Sequence, residues 1–324
     1  MRGVIRRHLG AYVVCLALCS GQEPPNPAAA NGGQRAAASE ILSTDTVLRV
    51  RSDLVLIPVT VTDGHGKAVS GLAREQFTLF EDNAQQKITH FDAEDTPASI
   101  GIVFDVSGSM GLKMSKAREA VNALLRDVNP ESEFFLIAFS TRAKVRVPLT
   151  QRPEEIRSSV DGLVADGSTA LLDAVRLGMV EMQRARYERK TLIIISDGED
   201  NSSHWTVNEL KAAVRERDIL IYAIGLTDPA GPNPSYPQRM GEALLKDIAR
   251  QTGGSLFSVR ALQQLPEVAQ QISGRLRHQY MLGYVPDRSA MDGTYRKVRL
   301  KIAKPKGYPS LHAVWRQGYY APKE

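Results

Sequence analysis

Apolar and polar positions along this chain follow two different periods, and the places where the period changes divide the molecule. Between residues 47 and 91 the alternation is by two, with Val55, Ile57, Val59 and Val61 on one face, a turn at Asp63-Gly64-His65-Gly66, the run Phe77-Thr78-Leu79-Phe80, and a second turn at Asp82-Asn83. That pattern predicts short half-buried strands, too few to close a core alone. Pro58 cannot donate to a ladder and predicts an edge position for the first of them.

Over residues 97–276 continuous apolar runs take over: Ile100 to Phe104, Phe134 to Phe139, Leu192 to Ile195 and Ile219 to Ile224 read as fully buried strands. Helical stripes alternate with them, at Met114, Ala117, Val121, Leu124 and Val128, at Leu171, Val175, Met179 and Met182, and at Leu244, Leu245, Ile248 and Ala249. Lys144-Val145-Arg146-Val147-Pro148 reads as an exposed edge strand, and a last helix from Pro266 carries Val268, Ile272 and Leu276 toward the sheet. Strands and helices in alternation predict an α/β fold with a doubly wound, mainly parallel sheet.

Beyond residue 277 the period of two returns, at Tyr280, Leu282 and Tyr284, at Val298, Leu300 and Ile302, and at Leu311, Ala313 and Trp315. The strands missing from the first segment are therefore at the other end of the chain. The expected architecture is one small β-sandwich formed by residues 46–96 and 277–324, with the α/β domain of residues 97–276 inserted in it.

The first residues do not belong to this pattern. Met1 to His8 is basic, Ala11 to Leu18 is a short apolar run, and Cys19-Ser20-Gly21 offers small residues for cleavage, which together read as a secretory signal peptide over residues 1–21. Residues 22–45, rich in Pro, Ala, Gly and Ser, read as a disordered linker. Both cysteines of the sequence, Cys15 and Cys19, lie in the leader, so the cleaved chain has no disulfide. Leu16-Ala17-Leu18-Cys19 resembles a lipobox, but Leu18 occupies the position of a small residue, and a lipid anchor at Cys19 is the lesser reading. No apolar run reaches the roughly 20 residues of a membrane span. The expected location is exported: secreted, periplasmic or on the cell surface.

A net charge of +5 raises the question of nucleic acid. The cations are dispersed, and the one regular set, Lys297, Arg299 and Lys301, alternates with Val298, Leu300 and Ile302 as the solvent face of a strand does. Without aromatic platforms or a binding motif, a nucleic-acid partner is not expected.

The candidate chemistry starts where the first buried strand ends, at Asp105-Val106-Ser107-Gly108-Ser109. In an open parallel sheet, ligands sit beyond the carboxyl ends of the strands, which is where these three oxygen-bearing side chains fall. Alone, the pattern reads more readily as an Asx turn followed by a serine N-cap. Two further stretches add oxygens: Asp166-Gly167-Ser168-Thr169 opens a second helix, and Leu192-Ile193-Ile194-Ile195-Ser196-Asp197 ends a second strand in a carboxylate. Hard oxygens suit Mg²⁺, Mn²⁺ or Ca²⁺ rather than zinc.

With these motifs the sequence resembles the von Willebrand factor type A (VWA) family, whose metal-ion-dependent adhesion site (MIDAS) uses Asp-x-Ser-x-Ser, a later Thr and a later Asp. The resemblance implies that Asp105, Ser107, Ser109, Thr169 and Asp197 form the shell of a divalent cation, Mg²⁺ first, with Mn²⁺ or Ca²⁺ as alternatives. The flanks around Val59 to Asp63, Phe77 to Asp82, Tyr280 to Tyr284 and Gly318 to Tyr320 are similar to a narrower bacterial family, VWFA-related, known chiefly from Acidobacteria. Two carboxylates on a divalent ion leave a nearly neutral, electrophilic centre, and the Asp or Glu of a protein partner is the natural sixth ligand. The implied function is metal-dependent protein binding or adhesion; the sequence leaves the oligomeric state and the partner open.

Two other readings compete. A metal-dependent hydrolase needs a positioned base, and the available groups are poor: His204, Glu199 and Asp200 follow Asp197, of which Asp200, with Asn201 and Ser202, reads as loop or helix cap, and His65, His90, His278 and His312 are scattered over β segments. No nucleophile elbow, phosphate loop or zinc pattern is present, so the chain is read as a non-enzyme. The remaining alternative is a structural envelope scaffold with a silent metal site.

Overall fold

The computed structural model describes residues 54–226, 235–286, 292–305, 307–308 and 310–323. The expected signal peptide and linker lie outside the described residues. The chain first lays down four strands, β1 (Val55–Thr62), β2 (Phe77–Glu81), β3 (Ala84–Gln86) and β4 (His90–Asp92). β2 and β3 form a two-residue hairpin in which Asp82 and Asn83 have φ of 44° and 76°. Two successive left-handed residues match the twist of the flanking strands, and Asp and Asn tolerate that conformation better than other side chains.

The α/β domain then runs β5 (Ser99–Asp105), α1 (Met114–Asp127), β6 (Glu133–Phe139), β7 (Ala143–Thr150), α2 (Pro153–Asp161), α3 (Leu171–Glu181), β8 (Lys190–Ser196), α4 (Val207–Arg215), β9 (Leu220–Leu226), α5 (Tyr236–Thr252), β10 (Leu256–Val259) and α6 (Leu265–Arg277). Its sheet has the order β10-β9-β8-β5-β6-β7. All neighbours pair in parallel except β7, which runs antiparallel on the edge, where Lys144 and Arg146 face solvent. Every residue of β5, β6 and β9 is buried because both faces of the sheet are covered. Ile100, Ile102 and Phe104 pack with α1, α2 and α6, while Val103 points into a second cluster with α3, α4 and α5.

After α6 the chain passes directly into β11 (Gln279–Tyr284), then β12 (Tyr295–Ile302), β13 (His312–Trp315) and β14 (Gly318–Tyr320). These complete two antiparallel sheets, β13-β1-β11-β4 and β14-β12-β2-β3. One apolar core lies between them, with Ile57 and Val59 from β1, Leu79 from β2, Leu282 from β11 and Leu300 from β12. The sandwich is thus built from both ends of the described chain. Lys297, Arg299 and Lys301 are exposed on β12, as their alternation requires.

Pro58 corrects one expectation. β1 is an interior strand, flanked by β11 and β13, and not an edge. Pairing with β13 begins only at Val59, however, so the flank of β1 is locally open where the proline lacks its N–H.

The sandwich is also held by a buried polar cluster from both chain ends. The hydroxyls of Tyr284 and Tyr319 donate to Glu81 Oε2 at 2.6 and 2.7 Å. Burial first, and then the shared carboxylate, push both phenols up, so they remain protonated donors. The domain joint is polar as well. Arg189, just before β8, donates to Asp92 at 3.0 Å and to the Gln279 carbonyl at 3.3 Å, and the Thr60 and Tyr222 hydroxyls are 3.2 Å apart. Tyr284→Phe is expected to lower stability in urea unfolding by about 1.5–3 kcal/mol, the range for a hydrogen bond to a charged group. Adding Tyr319→Phe should cost more than the sum of the single changes, because Glu81 then loses both hydroxyl donors inside the core.

Candidate functional site

The strand order reverses between β5 and β8, since the chain moves from β5 outward to β6 on one side and returns to place β8 on the other. Such a switch point opens a crevice at the carboxyl ends of the two strands. Asp105 is the last residue of β5 and Asp197 follows the last residue of β8, so the fold puts both acids at this crevice.

Asp105 is fully buried, with 0% of its surface exposed. Its Oδ1 accepts from the Ser107 N–H at 2.8 Å and its Oδ2 from the Ser196 hydroxyl at 2.6 Å. The Asx-turn reading of the motif is therefore correct for Asp105. The serine N-cap reading is not: Ser107 precedes a 3₁₀ turn over Gly108–Lys113, yet its side chain makes no capping bond. Its oxygen lies instead 3.1 Å from the Ser109 oxygen. Two hydroxyls beside a buried carboxylate are thus left uncommitted to the backbone.

Thr169 reaches this edge through stitching between loops. The Asp166 N–H donates to the Val106 carbonyl at 2.8 Å and the Gly108 N–H to the Gly167 carbonyl at 2.9 Å, which fixes the Thr169 loop against the Asp105 loop. The loop after β8 holds it from the other side: Asn201 Oδ1 accepts from the Thr169 N–H at 2.8 Å, and the N–H groups of Asn201 and Ser202 donate to the Thr169 carbonyl. The same loop caps α3, whose own N-cap residue, Ala170, has no side chain to do so. Asp200 Oδ1 accepts from the Leu171 N–H at 2.9 Å and Ser203 Oγ from that of Leu172 at 3.0 Å. Asp200 is a capping residue, as expected, but for the helix behind it in the chain; α4 is capped by Thr206 and Glu209. His204 is committed to the same junction, with its ring Nδ1 2.9 Å from Asp173 of α3.

Backbone proximity fixes the Asp197 loop. Gly198 has φ of +85°, and a Cβ added at Gly241 of α5 would lie 1.5 Å from the Gly198 carbonyl oxygen. Only glycine at position 241 lets the loop carrying Asp197 lie against the helix.

The charge balance contains a group that the motif does not reveal. Lys113, at the start of α1, donates from Nζ to Asp197 Oδ2 at 2.9 Å, with the two side chains only 7% and 0% exposed. Asp105, by contrast, has no cation among its hydrogen-bond partners in the described residues. Burial pushes its carboxyl up to about 6, the charge of Asp197 adds to the shift, and the bonds from Ser107 and Ser196 oppose it. Among the described residues no three His, Cys, Asp or Glu side chains come together as a metal cluster. A cation here would have to use the two acids with the hydroxyls of Ser107, Ser109 and Thr169. That donor set of hard oxygens, with a buried carboxylate short of positive charge, fits Mg²⁺ or Mn²⁺. Lys113 and Ser196 are the participants that motif reading misses. Their only signals in the sequence are a lysine set between Leu112 and Met114 at a helix start, and a serine directly before the second acid.

The model of the von Willebrand factor type A domain matches residues 99–271. The chain belongs to this family. VWA domains serve as protein-interaction modules and commonly bind a divalent cation at the MIDAS. The chain is 32% identical over 127 residues to the bovine inter-alpha-trypsin inhibitor heavy chain H4, covering 34% of this chain and 14% of that protein. It is 24% identical over 165 residues to an uncharacterized protein of Synechocystis, covering 49% of this chain and 37% of the relative. The chain thus spans a small part of the length of these curated relatives. Among solved structures, a von Willebrand factor type A protein from Catenulispora acidiphila superposes with a TM-score of 0.50 at 15% identity, over 84% of this chain and 74% of that one, a likeness of fold.

Two outcomes test this geometry. Gly241→Ala should lower the melting temperature by several degrees and displace the Asp197 loop, seen as altered amide shifts around Gly198, because the added carbon meets backbone. Asp105 ionises at about 6 in the folded, metal-free chain against 3.8 as the reference value, so stability falls as pH rises through that window. The full penalty, present above pH 6, has an upper bound of about 3 kcal/mol. In EDTA, Asp105→Asn should therefore melt higher than the wild type at pH 7.5, and the gain should vanish near pH 4.

Proposed function

We propose that this chain is an exported protein-binding module that captures an Asp or Glu side chain of a partner through a divalent cation held by Asp105, Ser107, Ser109, Thr169 and Asp197. The observation that carries this reading is the placing of two buried acids at the switch point of the sheet, beside hydroxyls that serve no helix cap. The bound ion would supply an electrophilic centre on which the partner's carboxylate completes the ligand shell. Mg²⁺ is the first choice, because a shell with few carboxylates and room for outer ligands suits its octahedral preference. The chain's own part is to hold the oxygens in place: the Asp105 loop is fixed by Ser196 and by the bond from Gly108 to Gly167, and Thr169 by Asn201. Leu112, 95% exposed on the turn beside the site, offers an apolar contact to whatever docks there.

Binding is favoured over catalysis by what surrounds the oxygens. His204 is engaged with Asp173, Asp200 caps α3, and neither is left as a base poised over a reacting group. Among the described residues no helix is long and apolar enough to cross a membrane. A second reading, the scaffold with a silent site, is favoured by one observation, the ammonium of Lys113 on Asp197.

The deciding experiment compares capture of proteins from the source cell's envelope and secreted fractions by the chain in Mg²⁺, in EDTA and as Asp105→Ala. Capture that needs the ion, and that falls about tenfold or more in the other two arms, supports metal-mediated binding. Equal capture in all three supports the scaffold.

A further inference from the structure

We infer that Lys113 is a built-in cation that holds Asp197 in the resting protein and must leave it before a divalent ion can bind there. The inference rests on the metal-site reading above and concerns how that site is regulated. Four observations point to it. The contact is direct, 2.9 Å from Nζ to Oδ2, with both side chains at least nine-tenths buried. Lysine is among the residues least often buried in full, and the positive end of a helix disfavours an ammonium, yet Lys113 occupies the N-cap of α1 without making any capping bond. Among the described residues, the Asp197 carboxylate is the hydrogen-bond and ion-pair partner that offsets both costs. The second acid, Asp105, is not bonded to the lysine, so the ammonium neutralises one pole of the oxygen cluster and leaves the other open. Finally, the lysine has a way out: it ends a 3₁₀ turn whose Leu112 is exposed and whose Gly111 has open space around it, and a four-carbon stem can carry the charge to solvent.

An ammonium and a divalent ion on the same carboxylate repel at close range in a buried site, so the two states exclude each other. The resting protein is held folded around its acids without metal, at the cost of weak ion binding. A partner's carboxylate relieves that cost, because it can pair with the ion and with the released ammonium. Metal and acidic ligand should therefore bind together better than either does alone.

The test uses Mn²⁺ and Mg²⁺ themselves as probes, by calorimetric titration and by melting temperature, on the wild type, Lys113→Gln, Lys113→Met and the control Lys116→Gln. The Lys113 variants should bind Mn²⁺ about tenfold or more tightly than the wild type, melt lower in EDTA, and recover in Mn²⁺; Lys116→Gln should match the wild type. Unchanged or weaker Mn²⁺ binding in both Lys113 variants overturns the inference and leaves the metal-site reading standing if the wild type binds. Binding by the variants but not by the wild type upholds the inference and ends the reading of a working metal site in the natural chain. Should neither variant fold, the ¹⁵N signals of lysine ammonium groups in the wild type decide: a protected Lys113 signal in EDTA that is lost on adding Mg²⁺ upholds displacement, and a signal unmoved at saturating Mg²⁺ refutes it.

Discussion

Two carboxylates buried side by side at the ends of neighbouring parallel strands are the constraint around which the rest of this domain is arranged. Removing a carboxylate from water is costly unless hydrogen bonds or opposite charge replace the solvent. The structure supplies both, unevenly. Asp105 receives an N–H and a hydroxyl, and Asp197 receives the ammonium of Lys113. Burial raises the Asp105 carboxyl to about 6, with the charge of Asp197 adding to the shift, and leaves a group that gains from any further positive charge brought to it.

Holding those acids requires loops that do not rearrange, and the loops achieve this by satisfying one another's backbone groups. The segment from Gly198 to Ser203 supplies the cap that α3 lacks, and the same contacts position Thr169. The close approach of Gly198 to Gly241 presses this segment onto α5. A crevice assembled from three loops and two helix starts is in this way largely preformed, which lowers the ordering cost of binding.

The β-sandwich serves the opposite end of the sheet. Arg189 lies immediately before β8 and binds Asp92 and the Gln279 carbonyl, so the sandwich is fastened at the amino ends of the parallel strands while the acids lie at the carboxyl ends. His278 alone separates α6 from β11, so the last helix of the inserted domain leads into the sandwich with no intervening linker. The segments before and after the inserted domain meet in Glu81, Tyr284 and Tyr319, a polar anchor that ties the halves of the sandwich together.

The order of elements was written in local pattern. Continuous apolar runs marked β5, β6, β8 and β9, period-two alternation marked the strands at both ends, and Asp82-Asn83 marked the hairpin, because burial on one or two faces imposes its period directly on the residues. Short, half-exposed pieces are harder to read: β10 has four residues of which Val259 alone is buried, and α2 shows only Ile156 and Val160, four apart, as its buried stripe. The five oxygen-bearing residues of the proposed site stand out in the sequence by their types and order, since each lies where a strand ends or a helix begins. What the sequence by itself could not decide was pairing at a distance: that Pro58 sits in an interior strand with one flank locally open, that Asp200 and Ser203 cap a helix from an earlier part of the chain, and that Lys113 reaches Asp197. Each depends on which strands become neighbours, and that order is set by packing of the whole sheet, so only the tertiary structure brings the partner charge of the second acid into view.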